Sequence, residues 1–249
     1  MEENILFSIV IPTYNNLDLL KRALNSVLKQ KGVKFEIIIV DDSTAILIEE
    51  YVIGLNNTNI RYFHNKPSLG AVPNWNYGLS LTKGDYVILL HHDEAFDSEE
   101  HLLSLTKVMS NCDISVSNVI VYVEDKERRN LIIKYFRRLM LAFPIISFIL
   151  NAIGPTACLC IKKDSIIPFN ENLKWLVDVE WYYRLLKKNK CHVTNLNILS
   201  TFGHAGQITK KIDIRETEKQ DIQEIETKYR NQASVRCMVI ARKILRMFT

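Results

Sequence analysis

GDYVILLHHDEAF, Gly84 to Phe96, carries an unbroken apolar run from Tyr86 to Leu90 that gives way at its carboxyl end to His91, His92, Asp93 and Glu94. A run without polar alternation suits a strand buried on both faces, as in the middle of a parallel sheet. Open α/β sheets bind ligands beyond the carboxyl ends of their strands, so chemistry is expected at His91 to Glu94. A polar turn closing an ordinary strand would read the same way, and the rest of the chain has to decide.

Upstream, Phe7–Ile11 is a β-rich run stopped by Pro12, and Leu17, Leu20, Leu24, Val27 and Leu28 then recur at helical spacing. Phe35–Val40 is a second buried strand ending in Asp41 and Asp42, followed by a helix over Ala45–Leu55 and a short third strand at Ile60–Phe63. A polar stretch, Asn65 to Asn76, leads into a helix reaching about Thr82. Alternation of this kind implies right-handed βαβ units and a mostly parallel sheet.

Downstream the pattern is less regular. Ser98–Met109 reads as helix, Ile114–Val123 as strand, and Asp125–Ile153 as a helical insertion, first basic and then apolar. Ala157–Ile161 is a strand, Val179–Lys188 a helix with acid first and base last, Val193–Thr201 a strand, and Gly203–Thr209 a polar loop. From Ile214 the pattern is helical, with Cys237, Ile240, Ala241, Ile244 and Phe248 on one face and Arg236, Lys243 and Arg246 opposite. Such a tail either packs on its own domain or lies on a membrane surface.

The 249 residues are enough for a full core, and 47% hydrophobic with 24% charged content is that of an ordinary globular protein. A net charge of +4 is mild, but Lys126, Arg128, Arg129, Lys134, Arg137 and Arg138 crowd one segment and no acid follows Glu226. An anionic surface or a phosphorylated substrate is the expected counterpart, and no nucleic-acid partner is expected. Five cysteines without CxxC spacing indicate neither a zinc site nor a disulfide framework, and reduced thiols in a cytosolic protein are expected. No secretory signal is expected at the amino terminus. The apolar stretch Leu139–Ile153 is interrupted by Pro144, Ser147 and Asn151 and falls short of the roughly 20 residues a spanning helix needs.

The first strand-to-helix turn is PTYNN, without GxGxxG, and no GxxxxGK[ST] occurs, which disfavours a dinucleotide fold and a P-loop. Acids stand at the strand ends instead: Asp41, Asp42 and Asp93. They could approach a diphosphate only with a cation between, a role suited to a divalent metal held jointly by carboxylate and phosphate.

SIVIPTYNN, EIIIVDDST, NKPSLGAVPNWNYGLSLTKGDY and LLHHDE, in that order, together resemble the inverting glycosyltransferases of family 2, from Phe7 to about Thr209. The resemblance implies an α/β GT-A fold: a Rossmann-like, mostly parallel central sheet flanked by helices. It places a glycosyltransferase domain at 1–212, with a nucleotide-binding part at about 1–97 and an acceptor and catalytic part at about 98–212. The helical insertion falls at about 125–153 and a C-terminal helical extension at 213–249. Carried over residue by residue, it puts Pro12, Tyr14, Asp42 and Asp41 at the nucleotide base. Asp93 falls at the metal-binding position of the family's DXD motif, with Mn2+ or Mg2+ expected. His91 stands where the first aspartate is usual, and ribose, phosphate and metal all remain open to it; His92 reads as structural and Glu94 as an outer carboxylate.

FNENLKWLVDVEWYYRLL is similar to the segment carrying the family's catalytic base, which makes Asp178 the base and Arg184 its downstream partner, with Val177 where glutamate is usual. Glu180 is the rival base. TFGHAGQIT resembles the late histidine loop, where His204 would reach the metal or diphosphate and Gln207 and Thr209 the phosphate oxygens. Gly154, Pro155 and Thr156 fall near the acceptor. The activity so implied is inverting, metal-assisted transfer from a nucleotide sugar, UDP-linked, to a glycan or polyprenyl-diphosphate-linked acceptor. The expected setting is the inner face of the cytoplasmic membrane, in O-antigen or capsule assembly. A nucleotide-sugar-binding protein without efficient transfer is the alternative, and a sugar-1-phosphate nucleotidyltransferase lacks its glycine-rich amino-terminal loop.

Overall fold

A computed structural model of the chain describes residues 6–123, 126–128, 131–202 and 213–246. His204, Gln207 and Thr209 lie outside these, as do Phe248 and the expected Gly203–Thr209 loop.

In chain order the elements are β1 (Leu6–Thr13), α1 (Leu17–Leu28), β2 (Lys34–Asp41), α2 (Leu47–Gly54), β3 (Ile60–His64), α3 (Ala71–Ser80), β4 (Tyr86–Leu89), β5 (Glu94–Phe96) and α4 (His101–Met109). They continue as β6 (Ile114–Val123), β7 (Lys126–Arg128), α5 (Leu131–Ala142), β8 (Leu159–Lys162), α6 (Val177–Leu186), β9 (Cys191–Phe202), α7 (Ile214–Lys228) and α8 (Ala233–Arg246). Short 3-10 turns stand at Pro144–Phe148, Thr156–Cys158 and Lys163–Ser165.

One sheet runs β3-β2-β1-β4-β8-β6-β9-β5, with β7 paired to β6. β3, β2, β1 and β4 are parallel, as the strand and helix alternation predicts. Beyond β4 the sheet is mixed: β8 is antiparallel to β4 and β6, β9 parallel to β6, and β5 antiparallel to β9. Phe7, Ile9, Val10 and Ile11 of β1 and Ile37 to Val40 of β2 are fully buried, so both faces of these strands are covered. Each such side chain contributes about 1.5–3 kcal/mol relative to exposure.

α1 begins where Asn16 accepts the Leu19 N–H at 3.1 Å, and it buries Leu20, Ala23, Leu24 and Val27 at the expected spacing. β4 opens at Gly84 because a Cβ there would stand 2.5 Å from the Leu6 carbonyl oxygen. α3 starts at Ala71, several residues before the polar composition of 65–76 suggests. Gly70, at φ 87°, turns the chain into it, and Pro73 suits a first turn. Tertiary hydrogen bonds, described below, overrule local polarity here.

The basic and apolar insertion is not a simple amphipathic helix. Arg137 is buried and donates to the Ala152 carbonyl (3.3 Å) and Asn118 Oδ1 (2.5 Å), so it belongs to the interior and not to the basic surface expected of this segment. Phe136, Leu139 and Phe143 face solvent instead. The carboxyl tail is two helices joined at 229–232. α8 buries Val235, Val239 and Arg242, while Cys237, Ile240 and Ile244, on the expected apolar face, are exposed. No helix among the described residues is long and apolar enough to cross a membrane.

Candidate active site

Register alone brings the predicted residues together. Thr13 pairs with Asp41 and Val10 with Leu89, so β1, β2 and β4 end along one edge of the sheet. The Asp42 N–H donates to the Thr13 carbonyl (3.0 Å) and the Leu90 N–H to that of Val10 (2.9 Å), tightening that edge. A cavity of about 630 Å3 opens there, lined by Pro12, Tyr14, Asp42, His91, Asp93 and Glu94 and, from the other half of the sheet, by Asp178. The polar end of GDYVILLHHDEAF is therefore part of a site.

The two adjacent aspartates diverge. Asp41 is fully buried and turned inward, accepting the Ser43 N–H (2.8 Å) and the Tyr62 hydroxyl (2.6 Å), so it supports the edge from beneath and does not line the cavity. Asp42 lines the cavity, and its carboxylate accepts from Asn65 Nδ2 (2.8 Å), the Ser68 hydroxyl (2.8 Å) and the N–H groups of Leu69 (3.0 Å) and Gly70 (2.7 Å). It caps no helix after β2, since α2 starts at Leu47 without a side-chain cap. Its observed work is to hold the 65–70 loop, whose Ser68 and Gly70 line the cavity, and with it the start of α3.

His91 stands edge-on to Trp75, ring centroids 4.7 Å apart, and burial pushes its pKa down to about 4, against a weaker opposing pull from Asp93. The imidazole is neutral at physiological pH and keeps a lone pair. Glu94 is buried and accepts the His91 N–H at 2.8 Å; burial, with the Asp93 charge adding, raises its pKa well above the ordinary carboxylate range. His92 Nδ1 meets the Tyr14 N–H (3.3 Å) and the Thr13 hydroxyl (3.1 Å), which ties β4's end to the loop after β1. Among the described residues no three His, Cys, Asp or Glu converge as a metal cage. Asp93 beside a neutral imidazole nevertheless fits a hard divalent cation that takes one carboxylate and completes its shell with substrate phosphate and water.

Asp178 lies in the first turn of α6, partly buried. Burial raises its pKa to about 6 in spite of hydrogen bonds from the Val179 N–H (2.9 Å) and Asn151 Nδ2 (2.7 Å) and the nearby Arg242 charge. A carboxylate so tuned is a competent proton acceptor near neutral pH. Asn151 also accepts the Ile153 and Gly154 N–H groups, fixing the turn before Pro155 and Thr156, which themselves line the cavity.

Glu180 is fully buried and directed elsewhere. It accepts from Arg184 Nε (2.8 Å), the Tyr229 hydroxyl (2.6 Å) and Lys228 Nζ (2.9 Å), and these bonds outweigh burial and keep its pKa low. Glu180 and Arg184 thus bind each other and the end of α7, and neither lines the cavity. Sequence reasoning missed Asp221. This buried α7 carboxylate accepts the N–H groups of Lys174 (3.0 Å), Trp175 (2.6 Å) and Leu176 (2.7 Å), capping α6 from outside because Leu176 itself offers no cap. The only signal for it in the sequence is an acid among several on a polar helix. Asn151 was visible as the one amide breaking an apolar run.

Known proteins resemble this chain in sequence and in fold. The Escherichia coli (strain K12) protein WcaA, whose name assigns it to colanic acid biosynthesis, is 32% identical over 127 residues, 50% of this chain and 44% of WcaA. An uncharacterized glycosyltransferase of Rickettsia typhi is 25% identical over 82% of this chain and 66% of its own length. The chain thus spans less than half of WcaA and about two thirds of the rickettsial protein. Among solved structures, Staphylococcus aureus TarS 1-349 in complex with UDP-GlcNAc superposes with a TM-score of 0.69 at 19% identity, over 89% of this chain and 67% of that one. The mannosyltransferase PcManGT of Pyrobaculum calidifontis, in complex with GDP-Man and Mn2+, gives 0.64 at 13% identity, over 88% and 63%. These likenesses bear out the GT-A fold that the motifs implied. The family described as Glycosyl transferase family 2 matches residues 8–162, more than half of the chain, and covers every strand that ends on the cavity from β1 to β4. This chain belongs to glycosyl transferase family 2.

Proposed function

We propose that the chain transfers a sugar, with inversion, from a UDP-linked donor to a glycan or lipid-linked glycan acceptor, and that Asp178 is its general base. One observation carries this reading: a carboxylate with a pKa of about 6 shares a cavity with Pro12, Tyr14 and Asp42, which the family resemblance puts at the nucleotide, and with Asp93, which it puts at the metal. The acceptor oxygen attacks the anomeric carbon as the bond from that carbon to the diphosphate oxygen breaks. Its proton passes to Asp178, and the electron pair leaves with the nucleoside diphosphate. Asn151 and the Val179 N–H hold the carboxylate in place for the transfer. Asp93 and neutral His91 would hold Mn2+ or Mg2+, whose charge offsets that developing on the diphosphate. TarS, which shares the fold, is bound to UDP-GlcNAc, and this supports the choice of UDP. Exposed apolar residues on α5 and α8 support work at the cytoplasmic membrane face, in the assembly of a surface polysaccharide.

The test is a panel of UDP- and GDP-sugars with and without Mn2+, read by thermal shift and by release of nucleoside diphosphate. A UDP-sugar should stabilise the protein in a metal-dependent way. A flat response to every donor would overturn the proposal. The His91 and Val177 substitutions in the family motifs favour one second reading, a donor-binding protein that does not turn over. It predicts the same stabilisation but no diphosphate release under any acceptor.

A further inference from the structure

A second cavity, of about 550 Å3, meets the first at Trp175 and Asp178. Its remaining lining is Ile149, Leu150, Asn151, Leu176 and Val179 on one side and Arg242, Leu245 and Arg246 of α8 on the other. We propose that this cavity is the acceptor site and that it takes an amphiphilic acceptor, a sugar joined through phosphate to a hydrocarbon chain. The inference rests on Asp178 being the base, since a base has to face donor and acceptor together, and Asp178 lines both cavities.

The chemistry of the lining selects the class. Arg242 Nε and Arg246 Nε both bind Glu218 (2.5 and 3.2 Å), so two guanidinium groups share one carboxylate and positive charge is left over. Arg242 is locked by further bonds to the Phe148 and Ile149 carbonyls, whereas the Arg246 side chain is 50% exposed and available to an anion. A planar guanidinium is the preferred partner for phosphate. The walls beside it are apolar, and the apolar surface continues outward: Leu150, Leu245, Ile240 and Ile244 are exposed, as are Leu139 of α5 and Phe143 just after it. α5 and α8 pack on the same turn, Pro144–Phe148, and both bury an arginine while turning apolar side chains to solvent. A monomer gains nothing from that inversion unless something apolar is to lie there. Arg138, Arg236 and Lys243 are exposed on the same two helices, and no acid follows Glu226 in the sequence. Cationic and apolar surface side by side complements an anionic amphiphile.

The probe is farnesyl diphosphate, titrated calorimetrically into the full chain, with farnesol, inorganic diphosphate and UDP as comparisons. Farnesyl diphosphate should saturate at one site, and farnesol and inorganic diphosphate should each bind roughly tenfold or more weaker. Arg246→Glu and, separately, Leu245→Asp, both at exposed positions, should weaken farnesyl diphosphate by a similar factor and leave UDP binding unchanged. Competition between UDP and farnesyl diphosphate would place the probe in the donor cavity and overturn the proposal. So would an affinity in both variants equal to that of the unaltered protein, or binding only to phosphatidylglycerol vesicles with no saturable site. Loss of UDP binding by the unaltered protein would instead remove the reading on which the inference stands.

Discussion

Burial of Asp178 costs the fold stability at neutral pH. Its native pKa of about 6 lies above the ordinary aspartate value of about 3.9, so between these pH values the folded protein binds more protons than the unfolded chain. Stability therefore falls as pH rises through that window, by at most about 3 kcal/mol, and the loss is complete above it. Asp178→Asn should thus raise the melting temperature at pH 7.5, with the gain shrinking as pH falls from about 6 to about 4 and absent below that. The same variant should keep UDP-dependent stabilisation and lose transfer. In the parent protein kcat should drop as pH falls below about 6, where the base is protonated. A variant as active as the parent, or a rate that rises towards pH 5, would contradict the assignment. Glu180→Gln separates the rival base from a structural carboxylate. Its partners Arg184, Lys228 and the Tyr229 hydroxyl would lose a buried anion, a change of about 3 kcal/mol in urea unfolding, while turnover per folded molecule stays near that of the parent. A large loss of kcat with unchanged stability would restore Glu180 as a candidate base.

At the scale of elements, the start of α6, which carries Asp178, is held by a helix remote in sequence. Asp221 on α7 binds three consecutive N–H groups ahead of α6, each a charge-assisted bond whose loss leaves a donor short of a partner. Asp221→Ala should cost about 3 kcal/mol in urea unfolding and should also lower kcat in the folded fraction, because Trp175 and Asp178 move with the helix start. Asp221→Asn, which retains one acceptor oxygen, should recover part of both. Loss of stability alone would mean that α6 keeps its position without the cap. This dependence explains what the sequence could and could not disclose. β1, α1, β2 and β4 are legible because buried periodicity is local, and their shared edge follows from the parallel topology. α3 was misplaced because its start is fixed by Asp42, 28 residues away, against the polarity of its own residues. β5, three residues long, is shorter than any periodicity can reveal. Asp41 and Asp42 look equivalent in sequence, and only tertiary partners make one a foundation and the other a wall of the cavity.

Over the whole molecule, the work divides at the sheet's change of direction. The parallel half supplies the edge lined by Pro12, Tyr14, Asp42 and Asp93, and the far side of the cavity supplies Asp178, whose helix is held by α7 and the residue after it. The family match ends at residue 162, before Asp178 and both carboxyl-terminal helices, α7 and α8. If α7 and α8 are part of the catalytic body, deleting them in steps should have graded effects. A chain ending after Gln232 keeps Asp221, Lys228 and Tyr229 but loses the burial of Val235 and Val239 and the Arg242 bonds to Glu218, Phe148 and Ile149. Each buried valine is worth about 1.5–3 kcal/mol, so this deletion removes about 5 kcal/mol from a domain whose whole stability is of order 5–15 kcal/mol. It should melt at a lower temperature, still cooperatively, and still respond to UDP. A chain ending after residue 212 also loses the Asp221 bonds ahead of α6 and two of the three partners of Glu180, Lys228 and Tyr229. It should show a broad, non-cooperative transition by circular dichroism, with the UDP response gone. Equal melting of all three chains would mean that the extension rides on a self-sufficient domain, and that the aim of Asp178 is set within residues 131–202 alone.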